Sequence, residues 1–410
     1  MRNGITNILM ILQSDFPPDM RVQKEAVSLI KAGYNVTLLC DNRIPRERFA
    51  EYQDIKIIRM KHFPGFSGKW HKIINAPMYP NPFWLRAIRK TAQNINADVL
   101  HVHDLPLALS TIKIGNQLGI PIVFDLHENY PAAMKLWYKP GPLGWTVKNP
   151  KLAELIERKC LKEAEKIIVI AEEHRDLLVS RGIGVEKIYI VENTPYKKLA
   201  TPQKPLSTEN KISTKYKKFK TLLYFGKINP ERHLEIALRA LPEVKKNIPD
   251  IKLIVVGDGP SFQYIKNESM KSGVSDLVDF TGWINLDEAL PYFHIADVCI
   301  MPHGSNDFLD MGVPNKLFEY MAMAKPVVIP ESKASARVVR EADCGEIFIP
   351  GSVESFAKAV LRVLQNENSA GEKGRELILK KYNWEQTEKN LLNLYSTLQL
   401  KKQPASNGLT

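Results

Sequence analysis

Short apolar runs alternate along nearly the whole chain with stretches whose apolar positions recur every three or four residues. The runs suit strands buried on both faces of a parallel sheet, and the recurrences suit helices that cover such a sheet. In the first half the runs lie at 8–12, 35–40, 55–60, 99–102, 120–125, 166–170 and 188–191. In the second half they lie at 220–224, 252–256, 277–281, 298–301, 326–329 and 345–348. This alternation predicts βαβ units. The first helix is signalled in full: Asp19 as cap, Val22, Ala26, Leu29 and Ile30 on one face, and Gly33 as stop. Residues 196–219 carry prolines, many lysines and little periodic hydrophobicity, which predicts a linker. The chain therefore divides into an N-terminal domain at 1–195 and a C-terminal domain at 220–385. A final helix at 386–400 and a flexible tail at 401–410 follow. Two α/β domains of similar size imply a cleft, and parallel sheets bind ligands at the carboxyl ends of their strands.

Length supports this division, since 410 residues exceed a single core and suit two domains of about 200 each. A hydrophobic fraction of 44% with 25% charged residues is ordinary for a soluble globular protein. No run approaches the roughly 18 apolar residues of a membrane span. Residues 1–7 show no secretory signal, because the apolar run after them is strand-length and ends at Gln13. Cys40, Cys160, Cys299 and Cys344 have no metal or redox spacing. Cys40 and Cys299 lie in apolar runs, so buried thiols in a reducing cytoplasm are expected. The net charge of +12 attracts anionic nucleotides, phospholipid surfaces or nucleic acid. Nucleic acid is disfavoured: zinc-finger, RNP and basic-region patterns are lacking and the charge is spread along the chain.

Candidate chemistry gathers at the ends of the runs. In 311–328, Asn315 reads as a helix cap, Leu317, Phe318 and Met321 as an apolar face, and Glu319 as an acid one turn inside. There one carboxylate can hold sugar hydroxyls while backbone amides hold phosphate; an ordinary packed helix with a solvated Glu319 fits the same residues. Lys227 and Arg232 lie five apart across a turn in which Gly226 ends a strand and Asn229 with Pro230 starts a helix. Both reach a group above that helix start, or else pair with Glu231 or Glu235 on the surface. Each charge-assisted contact to an anion there contributes roughly 1.5–3 kcal/mol. Gly257 follows a buried strand, in a stretch that does not complete a dinucleotide fingerprint, and Gly282 with Trp283 closes another. In the first half Asp19 and Arg21 follow the first strand, where Arg21 either faces the cleft or balances the helix surface. His103-Asp104 and His127-Glu128 close two strands on the cleft side. His101 is expected to point the other way along its strand and to be packed.

The stretch Met-Gly-Val-Pro-Asn-Lys-Leu-Phe-Glu-Tyr-Met-Ala-Met-Ala-Lys-Pro-Val-Val at 311–328 resembles the nucleotide-sugar signature of retaining glycosyltransferases of the GT-B fold, the family 4 or group 1 type. Gly-Lys-Ile-Asn-Pro-Glu-Arg-His at 226–233 resembles the diphosphate-binding turn of that family, with lysine and arginine exchanged. Val-Gly-Asp-Gly-Pro at 256–260 and the stretches 97–104 and 121–131 are similar as well, so the resemblance covers essentially the whole chain. It implies two Rossmann-like parallel-sheet domains facing across a central cleft. It also implies a hexosyltransferase that needs neither metal nor cofactor and takes a nucleotide-diphosphate sugar as substrate. Asp-x-Asp triplets, the mark of the metal-dependent GT-A alternative, are absent. By the resemblance, His127, Lys227, Arg232 and Glu319 are catalytic. Gly226, Gly257, Gly282, Trp283, Gly312, Val313, Pro314, Asn315 and Lys316 hold the donor, with the Gly282 loop on the base. Asp19, Arg21, His103, Asp104 and Glu128 line the acceptor side.

The chain departs from the family pattern at three places. Prolines 17 and 18 stand where many relatives have a glycine pair, Met311 where the first of two acids is usual, and Ala324 where Gly is usual. A subgroup with Pro-Asn-Lys-Leu-Phe-Glu-Tyr-Met also lacks the first acid, and backbone amides around 310–313 can take its place. A sugar-nucleotide 2-epimerase of the same fold and a non-catalytic nucleotide-sugar-binding protein remain alternatives. Residues 61–90 mix Phe63, Phe66, Trp70 and Trp84 with Lys61, Lys69, Arg86 and Arg89, and 135–148 repeat the mixture. This suits peripheral contact with an anionic membrane and a glycan, lipid-linked or envelope-polymer acceptor, or else a loop packed on its own domain.

Overall fold

A computed structural model describes residues 6–61, 79–137, 141, 149–201, 211–366 and 369–398. Most of the aromatic and basic stretches at 61–90 and 135–148, and the tail at 401–410, lie outside the described residues. The chain forms two compact units, Met1–Glu192 with Thr387–Thr410 and Asn193–Gln386.

In the first unit the strands are β1 (Asn7–Leu12), β2 (Asn35–Cys40), β3 (Phe49–Tyr52), β4 (Ile55–Arg59), β5 (Val99–His103), β6 (Ile122–Asp125), β7 (Lys166–Val169) and β8 (Ile188–Ile190). They order as β3-β4-β2-β1-β5-β6-β7-β8, parallel except for β3 against β4. Every apolar run of this half is a strand, because Ile8, Leu9, Val99, Leu100, Phe124 and Ile167 lose all solvent contact. Burying each such side chain contributes about 1.5–3 kcal/mol. Strand β3 has no apolar run; it alternates exposed and half-buried residues and joins β4 through Gln53 and Asp54, both at positive φ. That two-residue hairpin normally uses Asn-Gly or Asp-Gly, so its sequence signal is missing.

In the second unit β9 (Lys220–Phe225), β10 (Ile251–Val256), β11 (Val278–Gly282), β12 (Val298–Ile300), β13 (Val327–Pro330) and β14 (Gly345–Phe348) order as β11-β10-β9-β12-β13-β14, all parallel. The stretch read as a linker contains the helices Lys197–Ala200 and Lys211–Tyr216. The latter is anchored by Tyr216, whose hydroxyl donates to Asp279 at 2.6 Å. The final helix spans Trp384–Thr397. In each sheet the chain reverses direction beside the first strand, between β1 and β5 and between β9 and β12, and such switch points open a crevice at the strands' carboxyl ends. All four cysteines are free and buried. Among the described residues no helix is long and apolar enough to cross a membrane.

Candidate functional site

In the second unit, the ends of β9, β10 and β11 are floored by glycine. Gly226, Gly257 and Gly282 hold φ of 121°, 147° and 77°, values that L side chains rarely adopt. The Gly257 N–H donates to the Gly282 carbonyl at 2.9 Å, and a Cβ on Gly257 would lie 2.0 Å from the Gly226 oxygen. Backbone therefore faces this crevice where side chains would otherwise fill it.

Above this floor two cations meet. Arg232 ends the short turn Pro230–Arg232, and its Nε and Nη1 are buried without a hydrogen-bond partner. Lys316 extends from the helix Asn315–Ala322 to place Nζ 4.2 Å from the centroid of the Tyr224 ring. The nearby acids are turned elsewhere: Glu231 accepts from the Asn229 amide at 2.8 Å, and Glu235 holds His233 Nδ1 at 3.1 Å. No carboxylate of the described residues lies at ion-pair distance from Arg232 or Lys316. Burial first, then Arg232, pushes the Lys316 amine down to about 7, with Glu319 pulling the other way. His303, which follows β12, is 1% exposed; it donates from Nδ1 to the Gly304 carbonyl at 2.8 Å and leaves Nε2 without a partner. Burial first, and then the nearby Arg232, Lys316 and His233, push it down to about 4. Two basic side chains with no counter-ion among the described residues, over bare backbone, make a site for an anion.

The other expected residues of this unit fall around it. Lys227 is exposed, and its backbone carbonyl accepts from the Tyr224 hydroxyl at 2.7 Å. Glu319 is half-buried in the middle of its helix. Asn315 is not the helix cap. Pro314 holds that position in an extended conformation, which makes Asn315 the first helical residue and leaves the end without a side-chain cap. Met311 is buried in a short turn beside Asp310, whose carboxylate accepts from Ser305, and Gly312 and Val313 follow. Trp283 is 73% exposed beyond β11.

The first unit carries a buried network centred on Asp125, the last residue of β6. Its carboxylate accepts from Arg21 Nη2 at 2.5 Å, His127 Nε2 at 2.9 Å and His103 Nδ1 at 3.0 Å. Burial opposes the charge, but Arg21 and His127 hold Asp125 well below the usual carboxylate range. Arg21 is thus neither a surface balance nor exposed; its Nε also meets Glu25 at 3.1 Å. Burial and Asp125 push Glu25 up to about 8. Asp104 holds φ of 62°, strained for a non-glycine residue, at the start of the helix Leu105–Leu118. It does not cap that helix. Its carboxylate instead accepts from the His127 backbone N–H at 3.0 Å and lies 3.4 Å from His127 Nδ1. With an acid at each ring nitrogen, His127 rises to about 9 although burial alone would lower it. Glu128 is pushed up to about 7 by burial and then by Asp104. Asp19 stays local, capping its helix through Val22 N at 3.2 Å.

His101 does not point away from His103. Side chains two apart share a strand face, so the rings stack at 4.5 Å, and His101 Nδ1 meets the Tyr395 hydroxyl at 2.8 Å. Glu25, His101, His103 and Asp125 bring ligand-type atoms within 4.8 Å of one another. Arg21 and His127 already supply the positive charge that Asp125 meets, and Glu25 adds a contact to Arg21, so the quartet reads as one buried polar network around the Asp125 charge.

Residues 21–194 match the model of Glycosyltransferase Family 4, and residues 207–384 match that of Glycosyl transferases group 1. The chain belongs to the group 1 glycosyltransferases. It is 26% identical over 80% of its length to alpha-monoglucosyldiacylglycerol synthase of Streptococcus pneumoniae, covering 72% of that protein. A GDP-mannose-dependent phosphatidylinositol monomannoside mannosyltransferase of Mycobacterium tuberculosis is 27% identical over 40% of this chain and 44% of its own. Sucrose-phosphate synthase of Thermosynechococcus elongatus shares the fold, with a TM-score of 0.76 at 17% identity over 95% of this chain and 98% of that one. The Anabaena protein HepE in complex with UDP shares it too, at 0.71 and 14% over 96% and 100%. Two parallel-sheet α/β units in this glycosyltransferase are accordingly those of the GT-B fold.

Three residues of these sites were not named as candidates by the sequence: Asp125, Glu25 and His303. Asp125 had a signal, an acid closing a wholly apolar run, which a buried partner must explain. Glu25 had a weaker one, lying one turn beyond Arg21 on the apolar face of its helix. His303 sits in a loop and had none.

Proposed function

We propose that this glycosyltransferase moves a hexose from a nucleotide-diphosphate sugar to a glycan, lipid-linked or envelope-polymer acceptor with retention at the anomeric carbon. The observation that carries the reading is the pair Arg232 and Lys316, with no counter-ion among the described residues, above the glycine floor of the second unit. A diphosphate fits such a site, because it brings the opposite charge and several acceptor oxygens to unpaired donors. As the bond to the sugar breaks, negative charge grows on the diphosphate, and preorganised cations stabilise it there. Arg232, Lys316 and the exposed Lys227 take that role in this reading, with no metal assigned to it. Glu319 anchors sugar or ribose hydroxyls, Gly312 and Val313 offer backbone amides, and the Gly282–Trp283 turn receives the base. In the first unit, His127 as a fixed imidazolium is assigned to the donor sugar, with Asp104 and Glu128 toward the acceptor.

Lipid acceptors are supported by the names of two relatives, a monoglucosyldiacylglycerol synthase and a phosphatidylinositol monomannoside mannosyltransferase. The described first unit also exposes Ile44 and Phe49 among Arg43, Arg46 and Arg48, a mixture suited to anionic lipid at the inner face of a cytoplasmic membrane. Flotation with anionic vesicles but not neutral ones is expected; equal, negligible binding to both removes the membrane part.

A thermal-shift panel of UDP-, GDP-, ADP- and dTDP-sugars tests the donor, since a bound ligand raises the melting temperature by mass action. Arg232→Ala should weaken the stabilising nucleotide about 10–100-fold, from roughly 1.5–3 kcal/mol per charged contact, with the unliganded melting temperature unchanged. Glu319→Ala should lose turnover without unfolding. Transfer at the unmodified rate in both variants overturns the assignment.

A further inference from the structure

The helix Asn315–Ala322 meets the end of β9 through two side chains one turn apart, Lys316 and Tyr320. Residues four apart share a helix face. Lys316 reaches Gly226, where a Cβ would meet its Nζ at 3.3 Å, and covers the Tyr224 ring. Tyr320 reaches the residue between them: the Phe225 N–H donates to its hydroxyl at 2.9 Å. That contact stands where a rung of the sheet belongs. β9 and β12 pair at Leu222 with Val298 and at Leu223 with Cys299. A parallel ladder bonds each amide to the carbonyl just before its register partner, so continuation would put the Phe225 N–H on the Ile300 carbonyl. The Tyr320 hydroxyl lies between the two instead, 3.5 Å from the Ile300 oxygen and 3.4 Å from that of Phe225. On the other side of β9 the ladder runs on, with the Gly226 N–H on the Val256 carbonyl at 2.9 Å. The interruption thus falls on the β9–β12 side, where the crevice opens.

The inserted hydroxyl has little freedom. Tyr320 is fully buried, and its ring packs against Phe293 at 5.9 Å, which in turn meets Phe225 at 5.2 Å. The helix start has no side-chain cap, so this hydroxyl is a polar tie that fixes the helix on β9. Another face of the helix packs elsewhere, where Phe318 stacks on Tyr382 at 5.3 Å. We propose that Tyr320 is a positioning residue of the anion site: its hydroxyl, seated in the β9–β12 ladder, keeps the strand ends apart and seats the helix so that Lys316 lies over Gly226. Without the hydroxyl, the Phe225 N–H and the Ile300 carbonyl either pair with each other or stand unsatisfied. Either result changes the seat of the helix on β9, and with it the place of the Lys316 amine. Tyr320 touches no ligand in this role; it acts through Lys316. The inference rests on the diphosphate reading of the site above.

Isothermal titration calorimetry of the full chain with UDP, GDP, ADP and inorganic pyrophosphate tests this, with the unliganded melting temperature of each variant measured alongside. Tyr320→Phe keeps the ring and its volume and should weaken the ligand that binds by about 3–10-fold, the span of one net hydrogen bond. Phe318→Leu loosens the same helix from its other face and should lower the melting temperature with affinity unchanged. Lys316→Met removes one charged contact, should cost about 10–100-fold, and leaves Arg232 to hold the ligand. Adding Tyr320→Phe to Lys316→Met should then change affinity little, because residues that act through one contact are not additive. A Tyr320→Phe chain that binds as tightly as the unmodified one overturns the inference, whatever its melting temperature, and leaves the diphosphate reading standing. Equal losses from Tyr320→Phe with and without Lys316 also overturn it, by separating the two residues. An equal loss from Phe318→Leu does the same, since any loosening of the helix would then suffice. If none of the four ligands binds the unmodified chain, the diphosphate reading fails and the inference with it.

Discussion

His127 has a carboxylate at each ring nitrogen, Asp125 at 2.9 Å and Asp104 at 3.4 Å, an arrangement that satisfies only a doubly protonated ring. Its pKa near 9 exceeds the unfolded value of about 6.5. The stabilisation from its charge is therefore complete below pH 6.5 and is lost as pH rises through 9. Carbon- and nitrogen-detected NMR titration should find the His127 ring still an imidazolium at pH 8. The same spectra should show His103 and His174, pushed down to about 3 and 4 by burial, still neutral at pH 6. In His127→Gln the decline in stability between pH 6.5 and 9 should flatten. A His127 signal titrating near 6.5 would refute the two-carboxylate reading. The sequence named His127, His103 and Asp104 through their places at strand ends. It misled for His101, where alternation puts residues 101 and 103 on one face, and it was silent on Asp125 as their hub. A hub is defined by contacts across strands, and Arg21 stands 104 positions from Asp125.

Elements carry the anion site through what they omit. The ends of β9 and β10 approach until a single added methyl on Gly257 would overlap the Gly226 carbonyl, and Gly259 approaches Ile228 in the same way. Gly257→Ala is therefore expected to cost about 2 kcal/mol or more, combining strain at φ of 147° with the overlap. It should weaken nucleotide binding as well, since the strand ends must part to admit the methyl. Gly119→Ala is the contrast: its φ is also positive, at 69°, but a Cβ there meets nothing within 4 Å. Urea denaturation of both variants separates the terms, and equal losses would show that the overlap contributes nothing. Asp19→Ala tests a signal legible in sequence and should cost about 1 kcal/mol, the usual worth of a side-chain cap. Capping was legible at Asp19, with a periodic helix following it, and not at Asn315. There Pro314 fixes an extended backbone and takes the cap position itself. Strand β3 escaped notice because an edge strand exposed on alternate residues has no buried run to show.

At the scale of the molecule, alternating runs and helical periods foretold two parallel sheets, because both signals arise from local burial. The destination of the last helix has no local signal. Trp384 joins the second unit by donating its N–H to the Pro195 carbonyl at 2.7 Å, yet from Thr387 onward the chain returns to the first unit. There Glu388 accepts from Ser28 at 2.7 Å, Asn390 donates to the Ile190 carbonyl at 3.0 Å, and the Tyr395 hydroxyl meets His101 at 2.8 Å. Leu391, Leu394, Tyr395 and Leu398 are at most 1% exposed. At about 1.5–3 kcal/mol for each large apolar side chain, their burial adds on the order of 6–12 kcal/mol, as much as a whole domain's net stability. A chain ending at Gln386 should thus lose the first unit's cooperative unfolding transition in calorimetry and keep the second unit's. Tyr395→Phe is the milder test. It removes one hydroxyl, leaves His101 Nδ1 buried without a partner, and should cost about 1–3 kcal/mol in the first unit alone. If Tyr395→Phe leaves both transitions unmoved, the hydroxyl contributes nothing to the buried network. If the shortened chain also keeps both, the helix is an appendage and the first unit closes without it.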